Sequence, residues 1–297
     1  MNLLFVAFLI AWPMMGLAQD HPLTIEDLNR QIAINPNSAD AYFDRGLLYE
    51  KQGDFKHAIE DFSQTIVLNP QDVEAYGARA NAYADENNFV LAITDYTKAI
   101  ELGPQEPAAV YYNRGLTYLS QGNTAQAIAD LSQAILMNPD YAEAYHNRGL
   151  IWDKIGKLDQ ALSDLNKTIE LSPHLAEGYY NRGIIDDQQK RLLDAINDFS
   201  KAIDLNPSYA QSYANRGEVY MEQEDLPQAR YDFNKAIEIN PKLAQAYNNR
   251  AIAYFELKEY TKANADLQKA ASLGYPVNPQ LAKDIKGAVS WTNSNTK

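Results

Sequence analysis

The side chains most able to do acid–base, nucleophilic or metal chemistry are few in this sequence. It has no cysteine, and its four histidines stand far apart at positions 21, 57, 146 and 174. None of them lies in an arrangement with a serine that would make a nucleophile. The sequence also has no P-loop, no dinucleotide-binding glycine fingerprint and no His-Glu-x-x-His motif. We therefore predict that the chain is not an enzyme, has no catalytic residues, and holds neither a metal nor a cofactor.

Charged side chains are numerous, and the acidic ones dominate. The 39 Asp+Glu and 26 Lys+Arg give a net charge of −13. Such a chain repels a phosphate backbone, which excludes sequence-independent binding of nucleic acid. Hydrophobic residues make up 46%, too many for a disordered acidic tail, and the 20 tyrosines beside 9 phenylalanines suggest that one pattern is repeated.

A proline recurs with a fixed period. The prolines at 36, 70, 104, 139, 173, 207 and 241 are spaced by 34, 34, 35, 34, 34 and 34 residues. A period of this length is typical of a solenoid built from stacked supersecondary units. Alignment on the prolines places seven repeats in 39–277, namely 39–72, 73–106, 108–141, 142–175, 176–209, 210–243 and 244–277.

The first half of each repeat has the spacing of one helical face. A tyrosine always occupies the fourth position: Tyr42, Tyr76, Tyr111, Tyr145, Tyr179, Tyr213 and Tyr247. A small residue follows four positions later: Gly46, Ala80, Gly115, Gly149, Gly183, Gly217 and Ala251. Intervals of this kind put both on one side of a helix, where the small residue lets a second helix approach. We expect the tyrosines to be mostly core residues.

The second half of each repeat predicts another helix. It carries an invariant alanine: Ala58, Ala92, Ala127, Ala161, Ala195, Ala229 and Ala263. Four residues later comes Phe62, Tyr96, Leu131, Leu165, Phe199, Phe233 or Leu267. Turns such as Gly53-Asp54 separate the two helices, and Asn-Pro, Gly-Pro or Ser-Pro ends each repeat. Each repeat is therefore predicted as helix, turn, helix and proline stop.

These columns closely resemble the tetratricopeptide repeat (TPR) family. The resemblance implies an all-α fold in which antiparallel helix pairs form a right-handed superhelical solenoid. It also implies a concave groove, lined by the first helices, that binds a peptide or part of a partner protein. Family members that hold a C-terminal carboxylate do so with Lys and Arg on the first helices. Because these columns are acidic or apolar here, that specificity is not expected.

Both ends of the repeats are predicted to be capped, since a solenoid must cover its terminal apolar faces. Residues 22–36 form a partial repeat whose helix starts with a capping box of Thr24 and Asp27. Residues 278–291 form a C-terminal helix, followed by a flexible tail at 292–297.

The first 18 residues have the layout of a secretory signal. An apolar run from Leu3 to Trp12 is followed by Pro13 and by small residues that end at Ala18. We expect cleavage after Ala18 and a mature chain that is periplasmic or secreted and is not inserted in the membrane. An uncleaved anchor remains the alternative, because no Lys or Arg precedes the apolar run.

Arginine and aspartate form two further columns. The arginines are Arg45, Arg79, Arg114, Arg148, Arg182, Arg216 and Arg250, and the aspartates are Asp61, Asp95, Asp130, Asp164, Asp198, Asp232 and Asp266. Both lie at the edge of the predicted buried face, so we hypothesise an Arg–Asp ladder that supports the stack. A competing interpretation pairs five of these aspartates with the lysine three residues later on the helix surface.

The repeat at 176–209 departs most from the pattern. Asp186 occupies a position that is aromatic elsewhere, and Lys190-Arg191 replaces the usual turn. We expect Asp186 to pair with Arg182, four residues earlier on the same helix. Sequence drift and a local hinge are both compatible with this divergence.

The groove lining is predicted from first-helix residues opposite the packing face. Its apolar or aromatic members, with one histidine, are Phe43, Leu47, Tyr112, Leu116, Leu119, His146, Leu150, Tyr180, Ile184, Met221 and Phe255. Its acidic members are Glu143, Asp153, Glu177, Asp187 and Glu218. An apolar strip flanked by carboxylates suits a protein or peptide with apolar and basic residues. Packing against the next repeat, with the acids only solubilising the surface, is the alternative interpretation.

These features together predict a non-enzymatic scaffold that binds a protein or peptide segment in an acidic, partly apolar groove. The alternative is a recruiting subunit of a cell-envelope enzyme complex that binds glycan or cell-wall fragments through tyrosines and carboxylates. The sequence leaves the oligomeric state open.

Overall fold

The computed structural model describes residues 23–295. The predicted signal sequence at 1–18 and His21 lie outside the described residues. Within this range all regular secondary structure is α-helical, as predicted. The helices are α1 (Ile25–Ile34), α2 (Ala39–Lys51), α3 (Phe55–Leu68), α4 (Val73–Asp85), α5 (Phe89–Leu102), α6 (Pro107–Ser120), α7 (Thr124–Met137), α8 (Ala142–Lys154), α9 (Leu158–Leu171), α10 (Ala176–Gln188), α11 (Leu192–Leu205), α12 (Ala210–Glu222), α13 (Leu226–Ile239), α14 (Ala244–Glu256), α15 (Tyr260–Ser272) and α16 (Pro279–Asn295).

Local signals set the start and the end of each helix. Asp72, for example, caps α4 by accepting a hydrogen bond from the backbone N–H of Ala75 at 2.9 Å. The turn after a first helix requires a left-handed backbone, which glycine adopts without cost in three repeats. These glycines are Gly53, Gly122 and Gly156, while Asn87, Lys190, Glu224 and Lys258 adopt the same conformation elsewhere. In the first six repeats the second helix then ends two residues before the proline, and the backbone leaves the helical region at the residue between them.

The two helices of a repeat pack through the predicted alanine and small-residue columns. All seven alanines of the second helices have no exposed surface. On the opposing helix, a Cβ added to Gly217 would lie 2.8 Å from Cε1 of Phe233, closer than two carbon atoms can approach. The small column is therefore what allows the aromatic residue of the second helix to reach the first.

The chain forms two compact units, one ending at Ile151 and the other starting at Trp152. We refer to them as unit 1 and unit 2; the division falls within α8. In each unit, consecutive helices pack against one another as antiparallel pairs. First helices also lie beside the first helices of neighbouring repeats, as α2 does beside α4 and α10 beside α12. These neighbouring first helices position the candidate site.

Helices outside the seven pairs cover apolar faces. Leu28 of α1 and Ile285 of α16 are both fully buried. The predicted capping box is present, because Asp27 N–H donates to Thr24 Oγ1 at 3.2 Å and Thr24 N–H donates to Asp27 Oδ2 at 3.2 Å. The last helix runs to Asn295, past the predicted end at 291, because no glycine or proline follows Trp291 to stop it. Between residues 23 and 295, no helix is both long enough and apolar enough to cross a bilayer.

Candidate functional site

The Arg–Asp ladder is confirmed in six repeats. In each, Nε and Nη2 of the arginine donate to the two carboxylate oxygens of the aspartate at 2.6–2.9 Å. The pairs are Arg45–Asp61, Arg79–Asp95, Arg114–Asp130, Arg182–Asp198, Arg216–Asp232 and Arg250–Asp266. The remaining residues of the columns, Arg148 and Asp164, belong to different units. Two parallel bonds fix both planar groups, which makes the pair a structural clamp.

Two of the lysines that follow these aspartates by three residues pair with a glutamate and not with the aspartate. Lys98 Nζ contacts Glu101 at 3.4 Å, and Lys235 Nζ contacts Glu238 at 2.9 Å. Both contacts lie on the solvent side of the second helix, one turn beyond the buried aspartate. The aspartates therefore act inside the stack and not in surface pairs.

Each ladder arginine also reaches the preceding repeat. Arg79 Nη1 donates to Ser63 Oγ at 3.0 Å, and Arg216 Nη1 donates to Ser200 Oγ at 2.8 Å. One guanidinium thus joins a first helix, its own second helix and the second helix before it. Sequence analysis missed these partners, although they form a column of small polar residues at Asn29, Ser63, Thr97, Ser132, Asn166, Ser200 and Asn234.

The tyrosine column lies at the edge of the core, beside the ladder arginines. Tyr42 and Tyr49 are only partly buried, and their ring centroids lie 5.5 Å and 6.0 Å from the guanidinium carbon of Arg45. A ring of the tyrosine column lies 5.5–5.8 Å from the guanidinium carbon at each of the other six arginines. Tyr111 also packs against the core and Tyr247 is buried, so the column both contacts the ladder through cation–π interactions and contributes to the core.

The predicted partner of Asp186 is wrong. Asp186 is buried, and its Oδ1 accepts a hydrogen bond from Nε of Arg191 at 2.9 Å and a second one from Nη2. Nε of Arg182 instead donates a hydrogen bond to Oδ2 of Asp198 at 2.7 Å. The two unusual residues of this repeat thus compensate each other, since the arginine in the turn neutralises the buried aspartate.

Three of the predicted groove residues are not accessible. Tyr112, His146 and Leu150 are 1%, 7% and 4% exposed. The ring of Tyr112 packs on Tyr141 at a centroid distance of 4.9 Å, and its hydroxyl accepts a hydrogen bond from Asn147 Nδ2 at 2.8 Å. Burial lowers the pKa of His146 to about 4, so this imidazole is neutral near pH 7. At these positions of unit 1, the interpretation as internal packing is the better one.

The other predicted groove residues keep exposed surface. Glu143 is exposed, and the rest are partly exposed: Phe43, Leu47, Leu116, Leu119, Asp153, Glu177, Tyr180, Ile184, Asp187, Glu218, Met221 and Phe255. Several apolar members also contact the core beneath them. Phe43, for example, packs on Phe62 at 5.6 Å, and Phe255 packs on Tyr260 at 5.6 Å. They therefore present one side to solvent while the other side is anchored.

In unit 2, hydrogen bonds between side chains join the first helices on the side that carries the predicted groove residues. Asn215 of α12 donates to the hydroxyl of Tyr180 on α10 at 3.2 Å. Gln245 and Asn249 of α14 donate to Oε1 of Glu218 on α12, at 2.6 Å and 2.7 Å. The asparagines belong to a column that directly precedes the ladder arginines, at 113, 147, 181, 215 and 249. Sequence analysis missed this column, although the recurring Asn-Arg pair was a visible signal.

Glu218 lies among other charged groups. Its pKa is raised to about 7, mainly by burial; the charges of Asp187 and Glu222 add to this shift, and the bonds from Gln245 and Asn249 oppose it. Burial also raises the pKa of Asp187, whose Oδ1 is a buried atom with no hydrogen-bond partner. Lys190 is the cation nearby, and it bonds both oxygens of Glu222 at 2.8 Å. This region of unit 2 therefore holds more negative charge than its own lysine can neutralise.

Unit 1 has a smaller acidic region, formed by Glu50 and Asp85. Burial, and then the negative charge of Asp85, raise the pKa of Glu50 to about 7. Burial raises the pKa of Asp85 as well. Across residues 23–295, no group of three or more His, Asp or Glu side chains is arranged to hold a metal ion.

Comparison with solved structures shows a common fold. The C-terminal part of a TPR repeat-containing protein from Cytophaga hutchinsonii superposes with a TM-score of 0.68 at 20% identity, covering 81% of this chain and 98% of that one. A tetratricopeptide repeat protein from Parabacteroides merdae gives 0.61 at 21% identity, with coverage of 84% and 98%. YrrB, described as a TPR protein with an unusual peptide-binding site, gives 0.54 at 23% identity, with coverage of 64% and 97%.

Sequence models account for most of the repeats. Tetratricopeptide repeat models match residues 17–80, 73–106, 108–141, 142–175 and 244–273, and a TPR repeat model matches 188–224 and 217–258. Among curated proteins, none matches the chain. With the helix pairs described above, these matches establish that the chain belongs to the tetratricopeptide repeat family.

Proposed function

We propose that this protein is a non-enzymatic scaffold that binds an extended segment of another protein along its first helices. The observation that carries the proposal is the surface formed by α10, α12 and α14 in unit 2. Ile184, Met221 and Phe255 are partly exposed there, beside the side-chain bonds that join the three helices. Exposed apolar side chains on a rigid polar frame are what a protein-binding surface requires.

The chemistry of the partner follows from the charge of this surface. Asp187, Glu218 and Glu222 lie among the apolar residues, and the whole chain carries a net charge of −13. A segment with both apolar and basic residues would bury its apolar side chains and neutralise these carboxylates. The peptide-binding site named for YrrB supports this kind of use for a TPR surface.

The test is a selection of peptides from a random-sequence library on the immobilised full chain. Peptides that are enriched are then measured in solution by fluorescence anisotropy against the protein and two double variants. In the first, Ile184→Ser and Met221→Ser alter the proposed surface. In the second, Leu193→Ser and Tyr231→Ser alter exposed residues of second helices, 71% and 53% exposed.

We expect peptides to lose about tenfold or more in affinity for the first variant and to keep their affinity for the second. A thermal melt of each variant checks that the helices are intact. Failure to enrich any peptide, or equal losses in both variants, would contradict the proposal. Tyr112 is not used in this test, because it is buried and its replacement would report on packing.

A further inference from the structure

Glu218 is held in one orientation. Gln245 Nε2 and Asn249 Nδ2 both donate to the same carboxylate oxygen, Oε1, at 2.6 Å and 2.7 Å. Its other oxygen, Oε2, has no donor among residues 23–295, and the side chain is partly exposed. Two neutral amides position the carboxylate without cancelling its charge. The result is a fixed carboxylate whose Oε2 can accept a further hydrogen bond.

The groups around Glu218 are those that attract a cation. Asp187 and Glu222 add two carboxylates, and an oxygen of Asp187 is buried without a hydrogen-bond partner. Tyr180, close enough for the charge of Glu218 to act on its hydroxyl, offers a partly exposed ring. Aromatic faces and carboxylates both favour lysine and arginine side chains. Lys190 is already bonded to Glu222.

The equivalent region two repeats earlier carries different residues. His146 and Leu150 occupy in unit 1 the positions that Ala214 and Glu218 occupy in unit 2. With the larger pair, Tyr112 is 1% exposed, whereas with Ala214 the equivalent Tyr180 keeps exposed surface. The tyrosine pair is otherwise retained, since Tyr180 packs on Tyr209 at 4.7 Å as Tyr112 packs on Tyr141 at 4.9 Å. Unit 2 thus has a carboxylate and a partly exposed tyrosine in this region, where unit 1 has a leucine and a buried tyrosine.

We propose that Glu218 anchors a lysine or arginine side chain of the bound protein segment, against the ring of Tyr180. This inference rests on the proposed function and adds the feature by which a partner is chosen. The cationic group contacts Oε2 of Glu218, while Asp187 and Glu222 add long-range attraction. If the bound segment has no basic residue here, the neighbouring carboxylates of Glu218, Asp187 and Glu222 share a single lysine, Lys190.

The anchor depends on pH because Glu218 must be ionised to hold a cation. Burial raises its pKa to about 7 before any cation is bound. The groups that face it are Tyr180, Asp187 and Lys190 on the α10 side, Glu222 on its own helix, and the uncharged Gln245 and Asn249 on α14. Affinity for a basic segment therefore falls as the pH drops below about 7.

The experiment uses the peptides enriched on the full chain and two matched variants, Glu218→Gln and Glu238→Gln. Glutamine keeps an oxygen for the bonds from Gln245 and Asn249, and Glu238 is an exposed residue of a second helix. We expect the enriched peptides to share a lysine or arginine, and Glu218→Gln to weaken their binding about tenfold while Glu238→Gln has little effect. Changing the basic residue of the peptide to methionine should weaken binding to the wild-type chain by about the same factor. The methionine peptide should then bind the Glu218→Gln variant no more weakly than it binds the wild type.

A second measurement needs no variant. The affinity of the wild-type chain for the same peptides should fall several-fold from about pH 8 to about pH 6, and the methionine peptides should show a much smaller fall. Peptides that bind at the α10–α12–α14 surface without a basic residue, or that ignore Glu218→Gln, would overturn the anchor and leave the proposed function standing. If no peptide is enriched, the proposed function fails and the anchor fails with it.

Discussion

The ladder arginines are the residues on which the repeats depend most. Arg216, for example, joins three helices through its guanidinium, between two tyrosine rings. A buried ion pair adds little net stability when it is complete, because both charges lose their hydration. Removing one partner is different, since the other charge stays buried without compensation. The arginine and aspartate columns are thus expected to tolerate only changes that are made together.

We predict that Asp232→Asn destabilises the chain by about 3–5 kcal/mol. Asp232 has no exposed surface and bonds Arg216 through both oxygens at 2.8 Å. Asparagine would turn an amide N–H toward the guanidinium and leave it unpaired. Urea unfolding followed by circular dichroism measures the change. Glu238→Gln, which removes the exposed pair with Lys235, is the control and should cost less than about 1 kcal/mol; equal losses would mean that the ladder is not structurally important.

Glu218 gives a pH-dependent prediction for stability. Burial raises its folded-state pKa from 4.5 to about 7, so the folded chain holds this proton more tightly than the unfolded chain. The stability that the protonated group contributes is fully present below about pH 4.5 and is lost as the pH rises to about 7. The free energy of unfolding of the wild type relative to Glu218→Gln should therefore fall by at most about 3 kcal/mol across this window. Urea unfolding of both proteins along a pH series tests this, and a difference that stays level or increases would contradict it.

The helix pair of the fifth repeat depends on a contact between its turn and its first helix. Asp186 is buried on α10, and Arg191 directly precedes α11. We predict that Arg191→Ala destabilises the chain by about 3 kcal/mol, because it leaves a buried carboxylate unpaired. Adding Asp186→Tyr should restore most of the loss, since tyrosine is the usual residue at this position in the other repeats.

Thermal or urea unfolding of the single and double variants provides the test. Arg30→Ala serves as the control, because Arg30 pairs with Glu26 and Asp27 at the surface, where its side chain is 72% exposed. A double variant that is no more stable than Arg191→Ala alone would show that the two residues do not compensate each other. The contact between Asp186 and Arg191 would then not explain why this repeat diverges from the others.

Most of the helix architecture could be predicted from the sequence because the same constraint recurs in every repeat. The alanine column and the proline stops gave the helix pairs, and the Arg and Asp columns gave the ladder. Asp186 was assigned the wrong partner because helical spacing considers one helix, whereas Arg191 approaches from the turn. The third contact of each arginine was missed because its partner alternates among Ser, Thr and Asn.

The candidate site was predicted less completely. Helical spacing placed Tyr112 and Tyr180 on the same side of their first helices, but it could not rank their exposure. Tyr112 is buried and Tyr180 is partly exposed, although both occupy the same position of the repeat. The carboxylate of Glu218 was selected, while the amides of Gln245 and Asn249 that orient it come from a different repeat. Contacts between repeats are set by three-dimensional stacking, which helical spacing within one helix does not describe.

For the whole molecule, the net charge of −13 adds a long-range component to partner binding. Solvent-exposed charges attract a basic segment from a distance, and salt screens this attraction within about 10 Å at 0.1 M ionic strength. Contact with Glu218 itself is short-ranged and partly desolvated, so it is screened less. Salt and the Glu218→Gln variant should thus separate the contribution of the whole surface from that of one residue.

We predict that the affinity for an enriched basic peptide falls about tenfold when ionic strength rises from about 0.05 M to about 0.5 M, mainly through a slower association rate. Stopped-flow anisotropy gives both rate constants. Glu218→Gln should act chiefly on the dissociation rate, because a partly buried charge contact is lost, and its effect should persist at high salt. Binding that ignores salt would contradict an electrostatic contribution from the surface and would favour apolar contact or the stacking of a sugar on the tyrosines. An effect of Glu218→Gln that disappears at high salt would place Glu218 among the screened surface charges and not in a direct contact.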